Sequence, residues 1–104
     1  MISVQVSYTI KPTFFEQNKT LVNQFLADFK QLSHLNFLYN VYVKEDGLTF
    51  LHVSMYENED VQTQVLNTPS FLQFQQQRDQ EGLAGEVKIE VLNLVGSSLS
   101  LLAR

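Results

Sequence analysis

The stretch from Phe37 to Glu57, FLYNVYVKEDGLTFLHVSMYE, constrains the fold of this chain more than any other. It reads as two β-strands joined at Glu45-Asp46-Gly47, because Asp and Gly both tolerate the φ > 0 that tight hairpins demand. Phe37, Tyr39, Val41 and Val43 line one face of the first strand. Leu48, Phe50, His52, Ser54 and Tyr56 share one face of the second, and Thr49, Leu51, Val53 and Met55 the other. A strand that is apolar on both faces is an inner strand covered on each side. A chain of 104 residues has material for one core, not two. Helices therefore cover one side of the sheet, and a second copy of the chain is the candidate for the other. A homodimer is expected.

The flanking sequence supplies the helices and the outer strands. Ile2, Val4, Val6, Tyr8 and Ile10 alternate with polar residues, a period-two strand that stops at Lys11-Pro12. Thr13-Phe14-Phe15-Glu16 has the form of a capping box, and behind it Leu21, Val22, Phe25, Leu26, Phe29 and Leu32 recur at helical spacing. The spacing predicts a helix over 13–32, ending near His34. After the hairpin, Asn58 is an N-cap with Glu59 and Asp60 in the first turn. Val61, Val65 and Leu66 form a short apolar stripe, interrupted at Thr68-Pro69. Thr68 reads as a cap and Pro69 as the first helical residue of a second piece carrying Phe71, Leu72 and Phe74. The polar run Gln75–Glu81 reads as a solvated helix face, and Gly82 as a left-handed C′ residue. Val87, Ile89 and Val91 alternate as the last strand, and the tail 96–104 is either an arm onto a partner or a short extra strand. The order is βαββαβ, a ferredoxin-like α+β fold with an antiparallel sheet, in a single domain spanning 1–104.

Composition excludes several functions. A net charge of −4, with no cluster of Lys or Arg, argues against nucleic acid, whose binding rests on phosphate neutralisation. There is no cysteine, hence no disulfide, thiolate metal site or thiol nucleophile. Two histidines without a carboxylate at ligand spacing make no metal site. No apolar run reaches the ~20 residues of a membrane span. Met1 leads into a strand rather than a basic and apolar leader, so a cytoplasmic protein is expected.

The stretch Phe50–Phe74, FLHVSMYENEDVQTQVLNTPSFLQF, resembles the antibiotic biosynthesis monooxygenase-like family of dimeric α+β barrels. The resemblance lies in Tyr56-Glu57-Asn58 at the end of the third strand and in Leu66-Asn67-Thr68-Pro69-Ser70-Phe71, where the helix breaks. It implies a dimer with sheets packed face to face and a pocket between each sheet and its helices. The family's chemistry spans cofactor-free oxygenation of quinol-type aromatics, haem degradation, and members without known activity. Family histidines fall here on Val65 and Ser70. The residues that serve haem degradation fall on Val6, Val65 and Gln75, none of which fits that role. A polar residue and a tryptophan on the third strand correspond to His52 and Tyr56.

These residues define the candidate site. An imidazole of near-neutral pKa suits proton abstraction from a phenol, so His52 is the candidate base, with Tyr56 beside it. Tyr8, Phe50, Ser54, Val65 and Phe71 are the candidate substrate contacts. The competing reading makes His52 a buried histidine satisfied by Ser54, Tyr56 or backbone. Three functional classes stay open: a monooxygenase that needs no cofactor and acts on a small aromatic or quinol, a non-catalytic small-molecule-binding module, and a structural domain whose pocket is filled by phenylalanine.

Overall fold

The computed structural model of the protein describes residues 1–100 and 102. Its elements are β1 (Ile2–Thr9), α1 (Phe15–Lys30), β2 (Phe37–Val43), β3 (Thr49–Tyr56), α2 (Glu59–Leu66), α3 (Pro69–Gln77) and β4 (Lys88–Leu92). The sheet is antiparallel throughout, in the order β2-β3-β1-β4, so β3 is an inner strand as its two apolar faces required. This is the ferredoxin-like βαββαβ arrangement.

Register places Tyr8 opposite Phe50, Val6 opposite His52, and Val41 opposite His52 from the other side. Their side chains share the face on which the helices lie. Against it α1 packs Leu21, Val22, Phe25 and Phe29, α2 packs Val61 and Val65, and α3 packs Phe71 and Phe74, all buried. Phe25 is the hub, with ring centroids 5.0 Å from both Phe71 and Phe74. The opposite face is not uniformly apolar. Its β2–β3 half is mostly apolar, with Leu38, Tyr42, Leu51, Val53 and Met55 around Asn40 and Thr49, whereas its β1–β4 half is mostly polar, with Ser3, Gln5, Ser7, Lys88 and Glu90 beside Leu92.

Local chemistry explains the element ends, in some places differently from expectation. In the hairpin only Gly47 has positive φ, at 73°. Asp46 holds the turn with its carboxylate instead, accepting from the amides of Leu48 and Thr49 at 2.8 Å and from the Thr49 hydroxyl at 2.6 Å. The Thr13–Glu16 capping box does not form. Pro12–Phe14 is already a turn of 3₁₀ helix, with the Phe14 amide bonded to the Lys11 carbonyl, so Thr13 lacks the extended backbone that a cap requires. The α-helix consequently runs from Phe15 to Lys30 rather than over 13–32. Asn58 caps α2 as its type predicts, accepting from the Val61 amide at 2.9 Å. Thr68 makes no side-chain cap; its carbonyl serves Phe71 and Leu72, with Pro69 in the first turn.

Gly82 is not a left-handed residue either. It closes a π-helical turn, Arg78–Gly82, and a Cβ there would lie 2.5 Å from the Phe14 ring. Glycine is needed for close approach, not for its φ. Beyond β4, residues Asn93–Ser100 form no strand, and Asn36 donates to the Leu102 carbonyl at 2.6 Å. Part of the expected arm, Leu101 and 103–104, lies outside the described residues.

Candidate functional site

His52 stands in the middle of the sheet, 1% exposed, and two tyrosines converge on it from the neighbouring strands. Tyr8 Oη from β1 is 2.7 Å from Nε2, and Tyr39 Oη from β2 is 2.7 Å from Nδ1. Asn18 of α1 donates through Nδ2 to Tyr8 Oη at 3.4 Å. A neutral imidazole has one N–H, so one phenol donates into the ring and the other accepts from it. The ring stacks on Phe74 with centroids 5.4 Å apart. Burial pushes the His52 pKa down to about 3, and the charge of Arg78 adds to the effect.

The same burial lifts the tyrosines. Tyr8 and Tyr39 lie above the ordinary phenol range because their phenolates would be desolvated; for Tyr8 the Asn18 hydrogen bond and Arg78 partly offset this. Tyr56 is pushed up to about 12 by burial, against the pull of its hydrogen bond with Ser54. Every hydroxyl around His52 is therefore protonated at neutral pH, and the imidazole is neutral.

All seven residues singled out in the sequence lie in the helix-covered core. Phe50 stacks on Tyr8 at 5.7 Å. Phe71 meets Tyr39 edge-on at 6.0 Å, and Val65 is fully buried on α2. Ser54 and Tyr56 are buried beside one another, with Tyr56 stacked on Phe37 at 6.4 Å. His52 is satisfied by Tyr8 and Tyr39 rather than by Ser54, Tyr56 or backbone.

Sequence reasoning missed three partners. Tyr39 shares the His52 face, but where its hydroxyl lands depends on sheet twist and rotamer. Asn18 was detectable as a polar residue on the Leu21–Val22–Phe25 stripe; its Oδ1 is buried without a hydrogen-bond partner. Arg78 belonged to the run expected to be solvated, yet it extends the Phe71–Phe74 stripe and is buried. Its guanidinium lies 5.0 Å from the Tyr8 ring centroid and 5.1 Å from that of Phe74, and Nε donates to Asp79 at 3.0 Å. Such cation–π contacts strengthen when desolvated.

Three of the clefts among the described residues border the sheet and α1. One of about 420 Å³ runs between α1 and the β2 edge, lined by Leu26, Lys30, Leu35, Phe37 and Tyr39 among others. One of about 380 Å³ lies on the polar half of the open face beside Ser7, Lys44, Thr49 and Lys88. The third, about 240 Å³, adjoins Val53, Met55 and Leu94. Tyr8 borders the second and Ser54 the third, but none of the three is lined by His52, Tyr56, Phe50, Val65 or Phe71. Among the described residues no group of three or more metal-ligating side chains occurs, and no helix is long and apolar enough to cross a membrane.

An antiparallel sheet of this order, covered on one face by helices, defines a ferredoxin-like α+β domain. Its fold is that of solved antibiotic biosynthesis monooxygenase structures. One structure of that name superposes with a TM-score of 0.79 at 14% identity, covering 92% of this chain and 100% of the other. A Mycobacterium tuberculosis protein gives 0.78 at 15% identity, covering 94% and 98%. A variant of SnoaB, a cofactor-independent oxygenase from Streptomyces nogalater, gives 0.71 at 10% identity, covering 93% and 95%. No protein-family model and no curated protein matches the chain. At these identities the likeness is one of fold.

Proposed function

We propose that the protein is a cofactor-independent monooxygenase acting on a small aromatic or quinol-type substrate, and that it works as a homodimer. The observation that carries this reading is the imidazole of His52, held at both nitrogens by phenolic hydroxyls inside an aromatic core. The fold shared with an oxygenase named as cofactor-independent supports it. The substrate gives up a phenolic proton to His52, and its electron-rich anion reacts with oxygen. One oxygen atom enters at a ring C–H, which becomes a carbonyl, and the other leaves as water with the ring hydrogen and the phenolic proton, so the substrate supplies all four electrons that reduce O₂. Tyr8 and Tyr56 orient the ring, and Phe50, Ser54, Val65 and Phe71 contact it. Arg78 supplies positive charge near the developing anion. The homodimer packs through Leu38, Tyr42, Leu51 and Val53 of the open face.

A second reading, a non-catalytic binding or structural domain, is favoured by one specific observation. Phe25, Phe71 and Phe74 fill the space between sheet and helices, and His52 is already satisfied. Oxygen uptake with a panel of hydroquinones separates the two. His52→Ala and His52→Asn remove nearly all uptake if His52 is the base, since one positioned base is worth about 10²–10⁴-fold. Lost stability with unchanged turnover per folded molecule would retire the base.

A further inference from the structure

All five residues of β4 are exposed, and among the described residues no strand lies on its outer side. Ile89 and Val91 sit opposite Val6 and Val4, so they face the helix side of the sheet. The helices cover the other strands and leave these two side chains 70% and 76% exposed. Lys88 and Glu90, opposite Ser7 and Gln5, face the open side. An exposed edge with unpaired backbone groups and an apolar flank is a template for another strand.

The sequence of this edge is complementary to itself in one register. In an antiparallel pair of β4 strands centred on Ile89, Val87 stands opposite Val91 of the second copy. Lys88 stands opposite Glu90 of the second copy, and Glu90 opposite Lys88. The Val87–Val91 and Ile89–Ile89 pairs then lie on the helix side and both charge pairs on the open side, where Leu92 at the strand end meets Glu86 without a like-charge contact. Centring on Glu90 instead sets Glu90 against itself and Lys88 against Leu92; centring on Lys88 sets Lys88 against itself and Glu90 against Glu86. Like charges directly opposite destabilise a strand pair, and opposite charges stabilise it. We propose that β4 is a self-association edge, at which two copies pair antiparallel about a two-fold axis at Ile89 and join their sheets into one. The contact is isologous, as closed dimers require. It is separate from the open-face packing proposed above, and a strand pair alone buries less than the ~1,200 Å² of a standard interface. It is therefore a weak contact, visible at high protein concentration.

A charge swap tests it by sedimentation into the hundreds-of-micromolar range, in a Tyr42→Glu background that disables the open face. Lys88→Glu and Glu90→Lys each turn both charge pairs into like-charge contacts, and each is expected to raise the dissociation constant about tenfold or more. The double variant K88E/E90K restores both pairs with reversed sign and recovers the association. Single variants that sediment like the background, or a double variant no better than the singles, would overturn the pairing. Loss of association in Tyr42→Glu that the β4 charges do not influence would likewise leave only the open face.

Discussion

The burial of His52 makes stability depend on pH in a window where few other groups act. Its pKa falls from 6.5 in the unfolded chain to about 3 in the fold. A depressed histidine is neutral in the folded state and takes up a proton only on unfolding. Its contribution is complete above pH 6.5 and is lost as pH falls toward 3, at about 1.4 kcal/mol per unit. Between pH 7 and pH 5 the loss amounts to about 2 kcal/mol; down to the folded pKa it reaches roughly 4–5 kcal/mol. For a domain of this size about 2 kcal/mol lowers Tm by roughly 8 °C or more. The Asp46 carboxylate, held below its usual range chiefly by the Thr49 hydroxyl, loses its contribution only at more acid pH. Urea unfolding of wild type at pH 7 and pH 5, beside His52→Asn, isolates the term. The asparagine variant is less stable at pH 7 and has a flatter profile. If wild type loses no more stability than His52→Asn over this interval, the imidazole is not held neutral by burial and the reasoning fails.

Two glycines give a paired test of packing. A Cβ at Gly82 meets the Phe14 ring at 2.5 Å, whereas one at Gly85 meets nothing within 4 Å. Gly82→Ala is expected to cost about 1–3 kcal/mol in chemical denaturation, and Gly85→Ala to change little; equal effects would refute the close approach. Haem degradation is not expected, because Val65 and Gln75 leave no axial histidine on the helices and Val6 leaves no polar group on the first strand. Haem incubated with the protein, a reductant and oxygen should lose its Soret band no faster than free haem, and a bile-pigment product would contradict this.

The hairpin was legible because Asp46-Gly47 fixes the turn and the alternation fixes the faces. A turn centred there also sets Val41 opposite His52 and Tyr39 opposite Ser54. The Tyr39 contact was thus implicit in the hairpin, but its hydroxyl position depends on sheet twist and rotamer. The Tyr8 contact was harder, since nothing in the sequence sets how far β1 slides along β3. Arg78 is hidden in the sequence because its neighbours are polar, although it falls one turn beyond Phe74 on the Phe71–Phe74 stripe. The capping box failed for a different reason. Pro12 starts a 3₁₀ turn before Thr13, and a backbone that is already helical cannot cap. Fold order survives such local errors because it depends on apolar alternation over whole strands.

The energetics of His52 bear directly on the proposed chemistry. Moving a proton from an ordinary phenol, with pKa near 10, to an imidazole at about 3 is uphill by roughly 9–10 kcal/mol. Turnover at 1–10³ per second corresponds to barriers of about 13–17 kcal/mol, so the transfer consumes most of the allowance without exceeding it. The uphill step shrinks when the anion stays beside the imidazolium, because opposite charges in a dry core favour each other's ionised forms. Arg78 acts on the two partners with opposite sign: it penalises the imidazolium and stabilises the anion. In the fold this buried cation is held by its cation–π contacts with the Tyr8 and Phe74 rings. In a purely structural core it would add desolvation cost that the exposed Asp79 partner offsets only weakly. Under the proposed function the charge of Arg78 would stabilise an anion formed beside His52, and substrate would have to displace the phenylalanine rings that fill the core to reach it.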